Sequence, residues 1–155
     1  MNTSTFEKLQ YNELKEIVKE YCVSSLGKYR IDKLIPSSHI GTVNNRLKET
    51  SEGRALLDYS GSIPLQGIMN IDNIIVNVEK GALLDPEELT NISSFLRGCR
   101  KIKSYLKEKE FYAPTLCSYS NSICELKEIE AEIDNSIRNN MVDSNASKEL
   151  KRIRR

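Results

Sequence analysis

The chain has 155 residues, a length that suits one domain. Its 23 Lys and Arg nearly balance 22 Asp and Glu, a formal net charge of +1. Bulk attraction to nucleic acid is therefore not implied, and any such binding must come from local patches. Four Pro and seven Gly argue against a loop-rich or disordered chain, a single His cannot build a histidine metal site, and no apolar run reaches leader or membrane length.

Hydrophobic residues at 39% with no Trp allow a modest core. Cys22, Cys99, Cys117 and Cys124 form no C-x-x-C pair. Two of them fall in apolar helical registers, so they read as buried, reduced thiols of a cytoplasmic protein.

Residues 1–10 read as a lead-in anchored by Phe6 and Leu9. Asn12 can cap a first helix whose stripe is Leu14, Ile17, Val18 and Tyr21. Ser24 or Ser25 then caps a second that carries Leu26, Tyr29 and Leu34, and Pro36 stops it by disfavouring helix at Ile35. Ser37 or Ser38 opens a third, to about Tyr59, with Ile40, Val43, Leu47, Ala55 and Leu56 on its apolar side. His39 is expected as a surface residue of the first turn. Short turns between antiparallel neighbours make a helical bundle. The run from Ser60 to Gly67, with two Gly and one Pro, reads as an ordered loop with apolar plugs. Its glycines lack the spacing and the Lys-Ser/Thr of a phosphate-binding loop. Ile71, Ile74, Ile75 and Val78 define a fourth helix, with Gly81 placed to end it.

The longest predicted helix runs from Asp85 to Glu110. Asp85, Pro86 and Glu88 form a capping-box start with proline at the first position. Leu89, Ile92, Leu96, Cys99 and Leu106 make one wide stripe, with Phe95 and Ile102 beside it. Gly98 costs about 1 kcal/mol mid-helix, so it is either a tolerated weakness or a point of close contact. The exposed side carries Arg97, Arg100, Lys101, Lys103, Lys107 and Lys109 against Glu108. Pro114 restarts the chain through Leu116 and Tyr119, and a further helix holds Ile123, Leu126, Ile129 and Ile133. Its outer face is acidic, with Glu125, Glu128, Glu130, Glu132 and Asp134 against Lys127, and reads as solvation rather than catalysis. Residues 135–145 are polar and turn-rich, tethered by Ile137 and Val142. Ser147, or Asn145 before it, opens a final helix that reaches Arg155 with its apolar phase uncompleted. A fragment whose natural polypeptide continues is the simplest expectation.

No catalytic, cofactor-binding or metal-ligating constellation emerges from these residues. Two basic clusters can neutralise phosphates: Lys148, Lys151, Arg152, Arg154 and Arg155 at the end, and Arg97, Arg100, Lys101 and Lys103 in the long helix. With few aromatic residues interleaved, contact would be to the nucleic-acid backbone without sequence readout. The plainer reading is that these charges pair with acidic faces or keep the helices soluble.

An ordered set of short stretches now gives a resemblance. They are Ser25-Leu26-Gly27-Lys28, Glu49-Thr50-Ser51-Glu52 through Ala55-Leu56-Leu57, Gly61-Ser62-Ile63-Pro64-Leu65 with Gly67-Ile68, Gly81 to Leu89, and Ala146-Ser147 with Glu149-Leu150 and Ile153-Arg154-Arg155. Together they resemble the N-terminal region of the second bacterial MutS subfamily, the MutS-two proteins. Asn140 stands where that family often has glycine, and Asn70 where an acidic residue or histidine is usual. The resemblance implies an all-α, irregular multi-helix bundle like the MutS core or lever domain over residues 1–145, and over 146–155 the start of a long helix leading to a clamp. It implies a parent carrying an ATPase domain that uses ATP and Mg, and a Smr nuclease domain, none of whose residues lie in this chain. The implied partners are branched or double-stranded DNA and the ribosome or its rRNA, bound by a homodimeric parent that suppresses recombination or rescues stalled ribosomes, with no membrane association. Three readings follow: a structural lever in such a machine, a module that touches nucleic-acid backbone itself, or an unrelated helical adaptor.

Overall fold

The longest helices are fixed by their ends. In the computed structural model, which describes residues 3–154, Asp85 accepts a hydrogen bond from the Glu88 N–H (2.8 Å) and Glu88 accepts from the Asp85 N–H (3.0 Å). This is the predicted capping box, and it opens a helix over Pro86–Leu106. The described residues form nine helices: α1 (Thr3–Lys8), α2 (Tyr11–Glu20), α3 (Ser25–Asp32), α4 (Ile40–Ser60), α5 (Asp72–Glu79), α6 (Pro86–Leu106), α7 (Pro114–Ser120), α8 (Lys127–Ser136) and α9 (Lys148–Ile153). Between α8 and α9 lies one two-residue antiparallel hairpin, β1 (Ile137–Arg138) and β2 (Met141–Val142). The fold is all-α, as the sequence implied.

Local chemistry explains most boundaries. Ser24 caps α3 through the Gly27 N–H and Ser147 caps α9 through the Leu150 N–H, both at 3.0 Å. Gly81, at φ +82°, closes α5: its N–H reaches the Val78 carbonyl while the Ala82 N–H reaches Asn77. That pair of bonds is a Schellman motif, and its left-handed residue is the predicted glycine. Asn70 receives the Asp72 N–H at 2.9 Å and so steadies the first turn of α5.

Other boundaries differ from the reading of the sequence. The lead-in contains α1, and α2 begins at Tyr11 after a left-handed Gln10, so Asn12 is not its cap. His39, not a serine, caps α4: its Nδ1 accepts from the Thr42 N–H at 3.2 Å. The long helix ends at Leu106 rather than Glu110. Four charged residues follow Leu106 with no apolar residue to bury, and the turn they enter carries Ala113 into the core. The further helix starts at Lys127, leaving Ile123 and Leu126 in the connection before it.

Packing centres on α6, which lies against α7, α8 and both strands, while α4 lies against α7. The core forms where these meet. Leu56 is 1% exposed, and Leu106, Ala113 and Cys117 complete the cluster, flanked by Ile63, Ile102, Tyr105 and Leu116. Glu52 joins this seam from α4. Its Oε2 accepts the Leu116 N–H at 3.0 Å on the first turn of α7. Burial by itself would raise the Glu52 carboxyl, but hydrogen bonds from Thr115 and Leu116 outweigh it and hold the group below its usual range. Tyr119 donates to Glu49 at 2.7 Å one turn away.

The N-terminal helices are a looser group. α2 packs on α1 and α3, and Lys19 bridges to Asp32 at 2.8 Å. The apolar stripe Leu14, Ile17, Val18 and Tyr21 remains exposed, as do Ile40 and Leu47 on the predicted apolar side of α4. The four cysteines are free thiols. Cys117 is buried and Cys124 is exposed, so burial does not extend to all of them.

Candidate nucleic-acid interface

The two basic clusters meet different fates. In the first, Arg97 and Arg100 are one helical turn apart on α6 and face α8, where Glu130 and Asp134 are spaced by a similar turn. Arg97 Nε donates to Glu130 Oε1 at 3.0 Å. Arg100 grips the same carboxylate with two nitrogens, Nη2 at 3.0 Å and Nε at 3.2 Å. Asp134 accepts from the Ser93 hydroxyl and from the Arg97 guanidinium. The Glu130 side chain is 10% exposed. The Arg100 and Arg97 hydrogen bonds overcome its burial and hold it below the usual carboxylate range. Both guanidiniums are in turn held more firmly charged, chiefly by their hydrogen bonds to Glu130.

This arrangement corrects the reading of the acidic side as a solvated face at two positions, Glu130 and Asp134, whereas Glu125, Glu128 and Glu132 are exposed as expected. Glu130 is buried, whereas Leu126 and Ile129 are exposed. The helix is turned so that Glu130 and Asp134 meet α6. The signal lay in two sequence intervals, Arg97/Arg100 and Glu130/Asp134, which complement each other once the helices lie side by side.

Lys103 is also engaged, donating to the Ile123 carbonyl at 2.7 Å. Lys101 remains exposed. A cavity of about 360 Å³ opens beside these groups, lined by Arg100, Lys103, Lys107 and Lys127 together with Glu125. Lys127 pairs with Glu125 at 2.8 Å, so the surplus positive charge of the cavity is modest.

The second cluster is more open. Lys148, Lys151 and Arg152 lie on α9 and are exposed. Arg154 donates to the Val142 carbonyl at 2.7 Å, tying the end of α9 to the hairpin. Arg155 lies outside the described residues. The first cluster is thus largely engaged by α8 and the connection before it, whereas Lys148, Lys151 and Arg152 stay exposed.

Among the described residues no group of His, Cys, Asp and Glu could hold a metal ion. Nor is any helix among the described residues long and apolar enough to cross a membrane.

No protein-family model matches the chain. It is similar over its whole length to proteins named Endonuclease MutS2. Identity is 35% over 158 residues with the protein of Alkaliphilus oremlandii (strain OhILAs) and 35% over 159 residues with that of Clostridioides difficile (strain 630). With the protein of Geobacillus sp. (strain WCH70) it is 35% over 159 residues, which takes in 99% of the chain. Each match covers 20% of the relative, so the chain spans about a fifth of the length of the curated relatives it matches.

Proposed function

Along its whole length the chain belongs to the MutS-two subfamily, and on that premise we propose that it is the helical core that carries displacement within a nucleotide-driven parent. In this reading ATP and Mg bind elsewhere in the parent, and so do the nuclease groups. The task of these residues is to hold their shape while one end is pushed. The parent acts as a homodimer on branched or double-stranded DNA, or on ribosomal RNA, in recombination control or ribosome rescue.

The observation that supports the lever is the charged clasp between α6 and α8. Glu130 is shared by two guanidiniums from a neighbouring helix, and Asp134 repeats the link one turn on. Directional bonds of this kind resist sliding and rotation between helices better than apolar contact alone. α8 then leads through the hairpin to α9, which Arg154 fastens back to β2. The test is a distance measurement in a full-length relative. Spin labels at the positions of Lys101 on α6 and Lys151 on α9 are measured between subunits, with and without ATP. A shift of roughly 2–5 Å is expected from the size of helix displacements in such transitions, and unchanged distances would overturn the lever.

A second reading has its own observation. Lys148, Lys151 and Arg152 are exposed on one short helix, opposed by Glu149 alone. These residues can contact phosphates, and affinity would then fall steeply with salt. Replacing all three by Gln should weaken duplex binding and flatten its salt dependence; unchanged binding at low salt would remove the idea.

A further inference from the structure

Where α4 and α6 end, four aromatic rings gather, two of them against one ammonium. Tyr59 is in the last turn of α4, Tyr105 in the last turn of α6, and Phe111 and Tyr112 in the turn to α7. The Tyr59 and Tyr112 centroids are 4.2 Å apart with planes inclined by 34°, and Phe111 meets Tyr112 edge-on at 5.3 Å. Lys109 Nζ lies 4.6 Å from the Tyr59 centroid and 5.7 Å from that of Tyr105.

The turn that presents these rings is firmly built. The N–H groups of Tyr112 and Ala113 both donate to the Lys109 carbonyl at 2.9 Å, and Ala113 is fully buried. Phe111, two residues earlier, is 91% exposed. An anchored turn that holds a large apolar ring almost wholly in water has a flat π-face ready for a ligand. Tyr105 and Lys109 continue into a shallow cavity of about 470 Å³, whose other charged residues are Arg100, Lys101 and Glu108.

We propose that this cluster is a stacking platform for single-stranded nucleic acid, with an unpaired base on the face of Phe111 and its neighbouring phosphates on Lys109 and Lys101. Rings beside cations match what a single strand offers, an exposed π-face one bond network away from a phosphate. A duplex hides its base faces and cannot use Phe111. Arg100 is held by Glu130, but the acids nearby, Glu108 and Glu110, are still outnumbered by Lys101, Lys107 and Lys109. The proposal extends the nucleic-acid reading of α9 but uses different residues, and it stands whether or not the lever is correct.

The test is fluorescence anisotropy with the 155-residue chain in about 50 mM salt. The probes are a labelled oligo(dT) of about 12 nucleotides and a duplex of the same length. The single strand should bind more tightly, and Phe111→Ala should weaken it about ten-fold while leaving the duplex unchanged. Phe111→Leu should weaken it comparably, because an aliphatic side chain has bulk but no flat face. Lys109→Gln should lower the salt slope for the single strand by about one. Neutralising Lys148, Lys151 and Arg152 should weaken both probes alike and preserve the preference, which separates this site from α9. Failure to bind oligo(dT), or unchanged binding by both Phe111 variants, overturns the proposal. Self-association that Phe111→Ala abolishes and Phe111→Leu retains, without oligo(dT) binding, assigns the rings to a protein contact and overturns it as well.

Discussion

Gly98 shows how a tertiary contact reverses a local preference. In an exposed helix interior, replacing glycine by alanine gains about 1 kcal/mol. Here a Cβ at position 98 would sit 2.9 Å from the Gln66 carbonyl oxygen and 2.9 Å from Ile68 Cδ1. The loop before α5 lies directly on α6 at this point. Gly67 completes the contact from the other side, at φ +83° with the Ser94 carbonyl 2.5 Å from where its Cβ would be. Overpacking of this kind costs about 1–3 kcal/mol, so the clash wins. Gly98→Ala should lower the urea midpoint, and Gly67→Ala should lower it further because backbone strain adds to the clash. Position 140 predicts the opposite sign. Asn139 and Asn140 both have positive φ in a two-residue hairpin turn, the type I′ geometry that favours Asn-Gly. Asn140→Gly should raise stability by about 0.5 kcal/mol, read from the same denaturation curve. The sequence alone named Gly98 as either weakness or contact. The choice depends on a loop some thirty residues earlier, which no local pattern can report.

At the scale of helices, the ends were readable and the faces less so. Asp85 with Glu88, Ser147, and Gly81 act within four residues of themselves, so their roles follow from spacing. The rotation of α8 does not, because it is set by Arg97 and Arg100 on another helix. The same separation hid Glu52, whose carboxylate reaches across from α4 to the first turn of α7. The candidate site divides likewise. The exposed cations of α9 could be read from charge density, whereas the pairing of Arg97 and Arg100 and the gathering of Tyr59 with Tyr112 required the fold. The clasp carries a pH signature. Glu130's pKa is depressed when folded, so its contribution is present above the unfolded value of 4.5 and is lost as pH falls through the folded value. Glu130→Gln should cost about 2 kcal/mol at neutral pH. That is less than the 3–5 kcal/mol of a fully buried pair, because Arg97 and Arg100 keep 41% and 38% of their side chains in water. Thermal denaturation of both proteins from pH 7 to pH 3 should show the gap closing as the wild-type carboxylate is protonated. A gap independent of pH would remove Glu130 from that role.

Taken as one molecule, the chain exposes far more surface than its mass calls for. A compact monomer of 17.7 kDa has an accessible area of roughly 8,000 Å², whereas this chain has 11657 Å². Part of the difference is apolar, including the stripe of α2 and the outward residues Ile40, Leu47 and Leu83. The few fully buried side chains must therefore carry a disproportionate share of the stability. Leu56 sits at the junction of α4 and α7, and truncating such a residue to Ala costs about 3 kcal/mol through lost transfer energy and a residual cavity. Ile17 is on the predicted apolar face of α2 yet is 54% exposed. Its replacement by Ser should change stability by no more than about 0.5 kcal/mol. The two substitutions look alike in sequence and separate only by burial, so urea unfolding of both gives a direct reading. Amide exchange should agree, with α1 to α3 opening well before α6, because those helices contain no fully buried residue among the described ones. Equal losses for the two variants, with uniform exchange across the helices, would mean that the α2 stripe is covered in solution and that the chain closes on itself more tightly than its surface area indicates.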